Sequence, residues 1–330
     1  MKFKKTFNKK IFIIAEIGSN FDQDIKKAYK LIDVAKSCGA DAVKFQLFKA
    51  EKLYPKNSPL YKVFKSIELK SSWITKIKNY SQKKKIIFFA SAFDQASIKK
   101  LIRHRVKILK IASSEIVKLH EICYAASFKI PILISTGMAD LADIAEAVEA
   151  CKNVGNNQIV LLHTSSLYPT SASDVNLLNM VKLSKIFNLP VGFSDHSLGN
   201  TAAIAAVSLG AKVIEKHITL DKNSNGPDHF YAAEPAEFKG YVKAIRQAEK
   251  ILGNDLIKIN PKVKLNARRK SIFVSQNVKK NQILSIKNLK IKTDARGIET
   301  RFLKNLYGFK FSSNIKKENP LHWKYINFKK

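Results

Sequence analysis

Short β-rich runs recur along the first 217 residues, each followed by a stretch whose apolar positions repeat at helical spacing. The runs are IFIIAE (11–16), AVKFQ (42–46), KIIFFAS (85–91), KILKIAS (107–113), PILIST (131–136), QIVLLHT (158–164), PVGFSD (190–195) and KVIEKH (212–217). In 25–38, Ala28, Leu31, Ile32, Ala35 and Cys38 fall on one helical face, and in 139–151 Leu141, Ile144, Ala145, Val148 and Cys151 do the same. Run starts lie between 22 residues (85 to 107) and 43 residues (42 to 85) apart. Eight βα units in about 250 residues predict an α/β fold, a closed (β/α)8 TIM barrel. An open doubly wound sheet is the alternative, but no glycine-rich phosphate fingerprint follows the first run.

The helical pattern PAEFKGYVKAIRQAEKIL (235–252) closes the barrel, which is expected over 1–253, with a polar linker at 254–267. The texture then changes. Residues 268–330 read as short strands and turns, in which NVKKNQIL and NIKKENPL echo one another. That echo predicts two quasi-repeated hairpin elements in a small β-rich domain.

Chemistry in such barrels sits at the C-terminal ends of the strands. Here those ends collect Glu16, Lys44, Gln46, Lys110, Ser113, Glu115, Ser135, His163, Ser194, Asp195, His196, Glu215, Lys216 and His217. Lys44 and Lys110 stand in otherwise apolar runs, where a lysine calls for an opposite charge. Each could pair with a carboxylate such as Glu16 or Glu115. Together, with Ser113, Ser135 and Ser194, they describe a cradle for a phosphate and a carboxylate, point charge from the lysines and directional donors from the hydroxyls. His196 and His217 end neighbouring runs and could converge on one first-row divalent ion. His163 is a third imidazole, read equally well as a wall residue, whereas His104, His120 and His322 have no such context. The loop NGPDHFYAAEP (225–235) makes a rigid turn, in which Asp228 reads equally well as a group over the mouth or as a plain turn aspartate.

Composition changes this picture little. Hydrophobic residues make up 45% of the chain, enough for a large core. No apolar run reaches the length of a membrane span, and Glu16 interrupts the only signal-like segment. Cys38, Cys123 and Cys151 are scattered and read as small core residues of a cytoplasmic protein. The formal charge of +33 invites nucleic acid as a partner, but the lysines are spread along the chain without an aromatic-interleaved stripe or a recognisable motif. Neither nucleic acid nor membrane is expected as a partner.

The segments AEIGSN, GADAVKFQ, LKIASSE, ISTGM, LLHTSSLYPT, GFSDHS, IEKHITL and GPDH, in this order, resemble the sialic acid synthase family, which includes synthases of legionaminic and pseudaminic acid. The tail resembles the antifreeze-like (SAF) β-clip domain of these enzymes. The resemblance implies a domain-swapped homodimer that condenses phosphoenolpyruvate with an open-chain N-acyl hexosamine such as N-acetylmannosamine, with C–O cleavage and phosphate release. It implies a divalent cofactor, manganese, with magnesium or cobalt as alternatives, held by His196 and His217. Lys44, Lys110, Ser113, Ser135 and Ser194 fall on phosphoenolpyruvate positions, and Tyr168 beside both substrates. Glu16, Gln46, Glu115 and Asp228 fall on sugar-contacting positions, Glu115 being the candidate for placing protons at the reacting centre.

Three departures bear on the sugar. The family's NHxG after the first strand is NFDQ here, placing Phe21 and Gln23 where a histidine and a glycine are usual. Ser166 stands where some members carry an asparagine. Thr293 takes the place of a tail arginine, for which Arg296 is the expected substitute. The competing readings are another metal-dependent barrel carbon–carbon synthase or lyase on a phosphorylated substrate, and an inactive barrel whose tail is a binding module.

Overall fold

The computed structural model describes residues 10–254, 256–257, 260, 262 and 269–328. The chain divides into two units, one ending at Gly253 and the other beginning at Asn254. Most of the linker expected at 254–267 lies outside the described residues.

The first unit is a closed parallel barrel of eight strands in sequential order: β1 (Phe12–Gly18), β2 (Ala42–Leu47), β3 (Ile87–Ala92), β4 (Leu109–Ile111), β5 (Ile132–Ser135), β6 (Ile159–His163), β7 (Val191–Asp195) and β8 (Val213–His217). Alternate residues face the barrel axis. Phe12, Ile14, Ala42, Phe89, Ile108, Leu133, Val160, Leu162 and Val213 form a packed interior plug. The opposite parity packs against the helices in the larger core, so most strand positions are buried on both faces. Gly192 is required by this crowding: a Cβ there would lie 2.5 Å from the Val213 carbonyl and 2.6 Å from Leu162 Cδ2.

The helices follow the sequence periodicity. Ile25–Cys38 starts at Asp24, whose side chain accepts from the Lys26 N–H, and buries Ala28, Leu31, Ile32 and Ala35. Leu141–Asn153 begins with a capping box of Asp140 and Asp143 and buries Ile144, Val148 and Cys151. Leu141, expected on that face, is instead 48% exposed, because as the first helical residue it projects past the strand layer. Pro235–Leu252 turns Phe238, Tyr241, Val242 and Ile245 inward. Among the described residues no helix is long and apolar enough to cross a membrane.

Three βα connections are longer than the short loops typical of such barrels: those after β2, β6 (164–177) and β8. The one after β2 carries short helices at Ala50–Leu53 and Pro59–Ser66 before the packing helix Trp73–Lys83. It is pinned by Glu68, whose carboxylate accepts from the Ala50 N–H (2.9 Å), Lys49 Nζ (2.6 Å) and Lys65 Nζ (3.1 Å). The one after β8 runs over 218–234 and contains Asp228.

The second unit pairs β9 (Lys270–Val274) with β10 (Leu289–Thr293), and β11 (Lys310–Phe311) with β12 (Ile326–Asn327), both antiparallel. The echoing segments do not form two separate hairpins; they face each other about a local two-fold. Val278 and Ile315 exchange both backbone hydrogen bonds at 3.0 Å. Asn277 Oδ1 accepts from the Lys317 N–H while Asn314 Oδ1 accepts from the Lys280 N–H, each at 2.8 Å. Asn281 and Glu318 both take positive φ (66° and 70°), and Leu284 and Leu321 are both fully buried. Each repeat therefore supplies the other's missing edge, which neither could satisfy alone.

Candidate active site

The register sets which polar residues meet. Glu16 lies beside Lys44 on one side and His217 on the other, Ser91 beside Gln46 and Lys110, and Ser194 beside Glu215. All these residues share the inward parity, one layer above the apolar plug. They line a cavity of about 540 Å³ at the C-terminal strand ends, together with Ser113, Glu115, Ser135, Ser166, Tyr168, His196 and Asp228. Every barrel residue that the family resemblance marks as a phosphoenolpyruvate, sugar or metal position thus faces one space.

Its floor is an ionic cluster. Lys44 Nζ lies 3.0 Å from Glu16 Oε2, 3.5 Å from Glu215 Oε1 and 3.0 Å from Ser91 Oγ. Lys110 Nζ lies 3.2 Å from Glu215 Oε1, which also accepts from Ser194 Oγ at 2.9 Å. Burial raises the Glu16 carboxyl to about 7, and the neighbouring Glu215 charge adds to this against the pull of Lys44. Burial also opposes ionisation of Glu215, but Lys110 and Lys44 outweigh it and hold that carboxyl at about 2. Lys110 is lowered to about 8, chiefly by burial. For Lys44 burial is overcome by Glu16 and Glu215, so its ammonium is held charged.

Among the described residues, Glu215 Oε2 and Ser166 Oγ are buried without a hydrogen-bond partner. A polar ligand in the cavity would satisfy both. Gln46 Nε2 donates to Glu16 Oε1 at 3.1 Å. Glu115, in the single turn Ser113–Glu115, is ion-paired to Lys118 at 2.6 Å, and Ser113 Oγ accepts from the Gly137 N–H.

Two imidazoles, His196 just after β7 and His217 at the end of β8, join this cluster at the mouth with ring centroids 5.5 Å apart. His196 Nδ1–H donates to the Ser165 carbonyl at 2.8 Å, which leaves Nε2 with its lone pair. Burial lowers the pKa of both rings, His196 to about 4, so both are neutral donors at neutral pH. Among the described residues no group of three or more His, Cys, Asp or Glu side chains is arranged to hold a metal ion. A divalent ion here would have the two neutral imidazoles as its protein ligands, with its other positions left to water and substrate oxygens. Tyr168 packs on His196 at 4.3 Å, and Tyr231 Oη donates to Asp228 Oδ1 at 2.9 Å and lies 3.4 Å from His217 Nδ1.

Three residues read from the strand ends as part of the mouth face the other way. His163 points to the helical layer, where its Nε2 meets the Val175 carbonyl at 2.6 Å and its ring stacks on Phe193. Asp195 and Lys216 pair with each other at 3.2 Å, and Asp195 also accepts from Tyr241 Oη. Each is one residue out of register with the inward set, which reverses its face. Ser91 and Tyr231 were not singled out from sequence, and Glu215 was noted without a role. The available signal for Glu215 was a carboxylate inside an otherwise apolar strand run, VIEKH, which calls for an opposite charge. Phe21 is buried against Phe45 and Trp73, so the first departure puts an aromatic ring in the core. Arg296 belongs to the second unit, exposed and paired with Asp294.

The sequence matches the NeuB family over residues 31–256. It is 38% identical to the N,N'-diacetyllegionaminic acid synthase of Legionella pneumophila over 96% of this chain and 94% of that protein. It is likewise 38% identical to the Campylobacter jejuni enzyme of the same name, over 94% of this chain and 98% of that one. The crystal structure of N-acetylneuraminic acid synthetase from Leptospira borgpetersenii in complex with citrate superposes with a TM-score of 0.74 at 35% identity, over 77% of this chain and 89% of that one. With the family matched across most of the barrel and these relatives matched nearly end to end, the chain belongs to the NeuB family.

Proposed function

We propose that the protein condenses phosphoenolpyruvate with an open-chain N-acyl hexosamine such as N-acetylmannosamine and releases phosphate to give a nonulosonic acid. The observation that carries this reading is the gathering of two buried lysines and two neutral histidines around one cavity, with hydroxyls and carboxylates among them. The sialic- and legionaminic-acid synthase names of the relatives support it.

In this reading Lys44 and Lys110 neutralise the phosphate and carboxylate of phosphoenolpyruvate, while Ser113, Ser135, Ser166 and Ser194 orient them. His196 and His217 would hold a divalent ion, manganese, with magnesium or cobalt as alternatives; when bound it supplies Lewis acidity toward the sugar's carbonyl. The methylene carbon of phosphoenolpyruvate (C3) forms the new C–C bond at that carbonyl carbon, whose oxygen takes up a proton. Water adds to the phosphate-bearing C2 and gives up a proton, and the C2–O bond to phosphate breaks to leave the keto group. Glu16, with a carboxyl near 7, can hold or give a proton beside this centre at neutral pH. Glu115, ion-paired to Lys118, is an acceptor that orients the incoming water or hydroxyl. Gln46 and Asp228 hold sugar hydroxyls, and Tyr168 covers the side of His196. The tail, acting as an antifreeze-like lid in a swapped dimer, brings Arg296 to the partner's sugar.

The test is turnover of bridge-18O-labelled phosphoenolpyruvate with manganese and three sugars: N-acetylmannosamine, its 6-phosphate and a diacetamido-trideoxyhexose. Nonulosonate and phosphate should form in equal amounts with the label in phosphate. Consumption of phosphoenolpyruvate with none of the three, or label left on the organic product, would overturn the reading.

A further inference from the structure

We propose that His229 is a positioning residue for the mouth: by tying the connection after β8 to the connection after β1, it fixes Asp228 and Tyr231 beside His217. The proposal rests on the mouth being the active site, as read above. His229 is 2% exposed and does not line the cavity, although the next residue back, Asp228, does. Both its nitrogens are committed. Nε2–H donates to Asp22 Oδ1 at 2.7 Å, and Nδ1 meets Thr219 Oγ1 at 2.7 Å.

The segment on the far side of this clamp needs holding. Asp22 and Gln23 both adopt left-handed backbone (φ 50° and 54°), which non-glycine residues take at a cost. The side chains of the same segment provide the ties. Asp22 also takes Lys27 Nζ at 2.7 Å, and Gln23 Nε2 donates to the Glu68 carbonyl at 3.0 Å. Asn20 Nδ2 donates to the Ile218 carbonyl at 3.0 Å and to that of Asp228 at 3.3 Å. On the near side the loop closes onto the imidazole. A Cβ on Gly226 would sit 2.7 Å from His229 Cδ2, so the ring fills the space beneath the turn that presents Asp228. Beyond it, Asp228 Oδ1 accepts from Tyr231 and its Oδ2 lies 3.9 Å from His217 Nδ1. Removing the imidazole takes away the packing beneath that turn and its tie to Asp22, leaving the Asn20 contact as a link to the connection after β1.

The experiment compares His229→Ala, His229→Gln, Asp22→Ala and the His229→Ala/Asp22→Ala double variant with the parent chain. Steady-state kinetics are read with manganese, varying each substrate in turn while the other is saturating, and hydrogen exchange is read over 225–231. In His229→Ala the sugar KM should rise about tenfold while the phosphoenolpyruvate KM moves less than about twofold. Exchange over 225–231 should quicken about tenfold. Asp22→Ala should reproduce both effects without adding to them in the double variant, and His229→Gln, which restores a donor toward Asp22, should recover most of the loss. A lowered thermal midpoint with unchanged sugar KM and unchanged exchange overturns the proposal. If His229→Ala does not fold, Asp22→Ala, at a half-buried loop position, decides alone. A parent chain inactive on every sugar sinks the proposed reaction, and hydrogen exchange then still decides the clamp.

Discussion

Lys110 Nζ and Glu215 Oε1 meet 3.2 Å apart on the cavity floor, and Lys44 reaches the same carboxylate oxygen at 3.5 Å. Two buried ammonium groups thus share one oxygen of a carboxylate whose other oxygen has no partner among the described residues. Two ammonium groups against one carboxylate oxygen leave positive charge at the cavity floor that an arriving dianion can pair with. Lys110→Met should therefore weaken phosphoenolpyruvate binding by about 2–5 kcal/mol, the range for removing one partner of a desolvated charge pair. Because burial brings the Lys110 ammonium down to about 8, kcat/KM for phosphoenolpyruvate should fall as pH rises through about 8 in the parent chain. An unchanged phosphoenolpyruvate requirement in the methionine variant, read beside an intact circular-dichroism spectrum, would assign these lysines to structure.

Activity should depend on a divalent ion held by His196 and His217. Chelation should abolish turnover and manganese restore it, with calcium, which prefers all-oxygen ligands, a poor replacement. His217→Ala should weaken manganese binding by on the order of 100-fold or more, since even loss of a supporting contact costs 10–100-fold. Titration followed by manganese EPR measures this directly. Full turnover in excess EDTA would refute it.

Glu16 makes stability depend on pH with a definite sign. Its folded-state value of about 7 stands above the ordinary 4.5 because burial penalises the carboxylate. The folded chain then holds this proton more tightly than the unfolded chain. The resulting stabilisation is full below about pH 4.5 and is lost as pH rises through about 7. Glu16→Gln, which keeps a neutral side chain of the same shape, should gain in thermal midpoint relative to the parent chain between pH 5 and pH 8. A gap that stays constant across that window contradicts the assignment.

Much of this was legible because period and position carry physical meaning. Eight short runs separated by helical stripes have few closed solutions, and polar residues inside apolar runs have to face something polar. What the runs could not show is which face each residue takes. Parallel strands buried on both sides lack the alternation that marks one side as wet. His163, Asp195 and Lys216 therefore looked equivalent to Ser194, Glu215 and His217 until register separated them. Tyr231 was hidden for another reason: it lies in a loop, where no period applies, and only the fold brings its hydroxyl to Asp228 and His217. In the tail the repeat was visible as an echo, but an echo does not say that its copies pair with each other, as Val278 and Ile315 do.

The tail is expected to close the active site of a second copy of the chain. The loops around the mouth leave large apolar side chains bare: Met138 is 61% exposed, Leu167 51%, Leu198 62% and Phe230 55%. They sit on the connections after β5, β6, β7 and β8, so they form a rim, and such a rim marks a surface that another body covers. The proposed chemistry needs a cover as well, because water must be admitted in one step and kept out of the rest. The connection after β2 already walls one side with Leu53, Tyr54, Phe64 and Ile67, which leaves the β5–β8 side for the lid. Complementation tests this. A Lys110→Met chain has a damaged barrel and an intact tail, and a chain ending at Lys264 has an intact barrel and no tail. Neither should turn over alone, and mixing them, with brief partial unfolding to allow exchange, should restore up to half of the activity per intact barrel. Each active centre would then be the truncated chain's barrel closed by the other chain's tail, with Arg296 as the group reaching the sugar. Arg296→Ala introduced into the Lys110→Met chain should abolish the recovery, whereas the same change could have no effect in the truncated chain, which lacks that residue. Full activity of the truncated chain alone, or a monomer by light scattering at assay concentration, would rule the arrangement out.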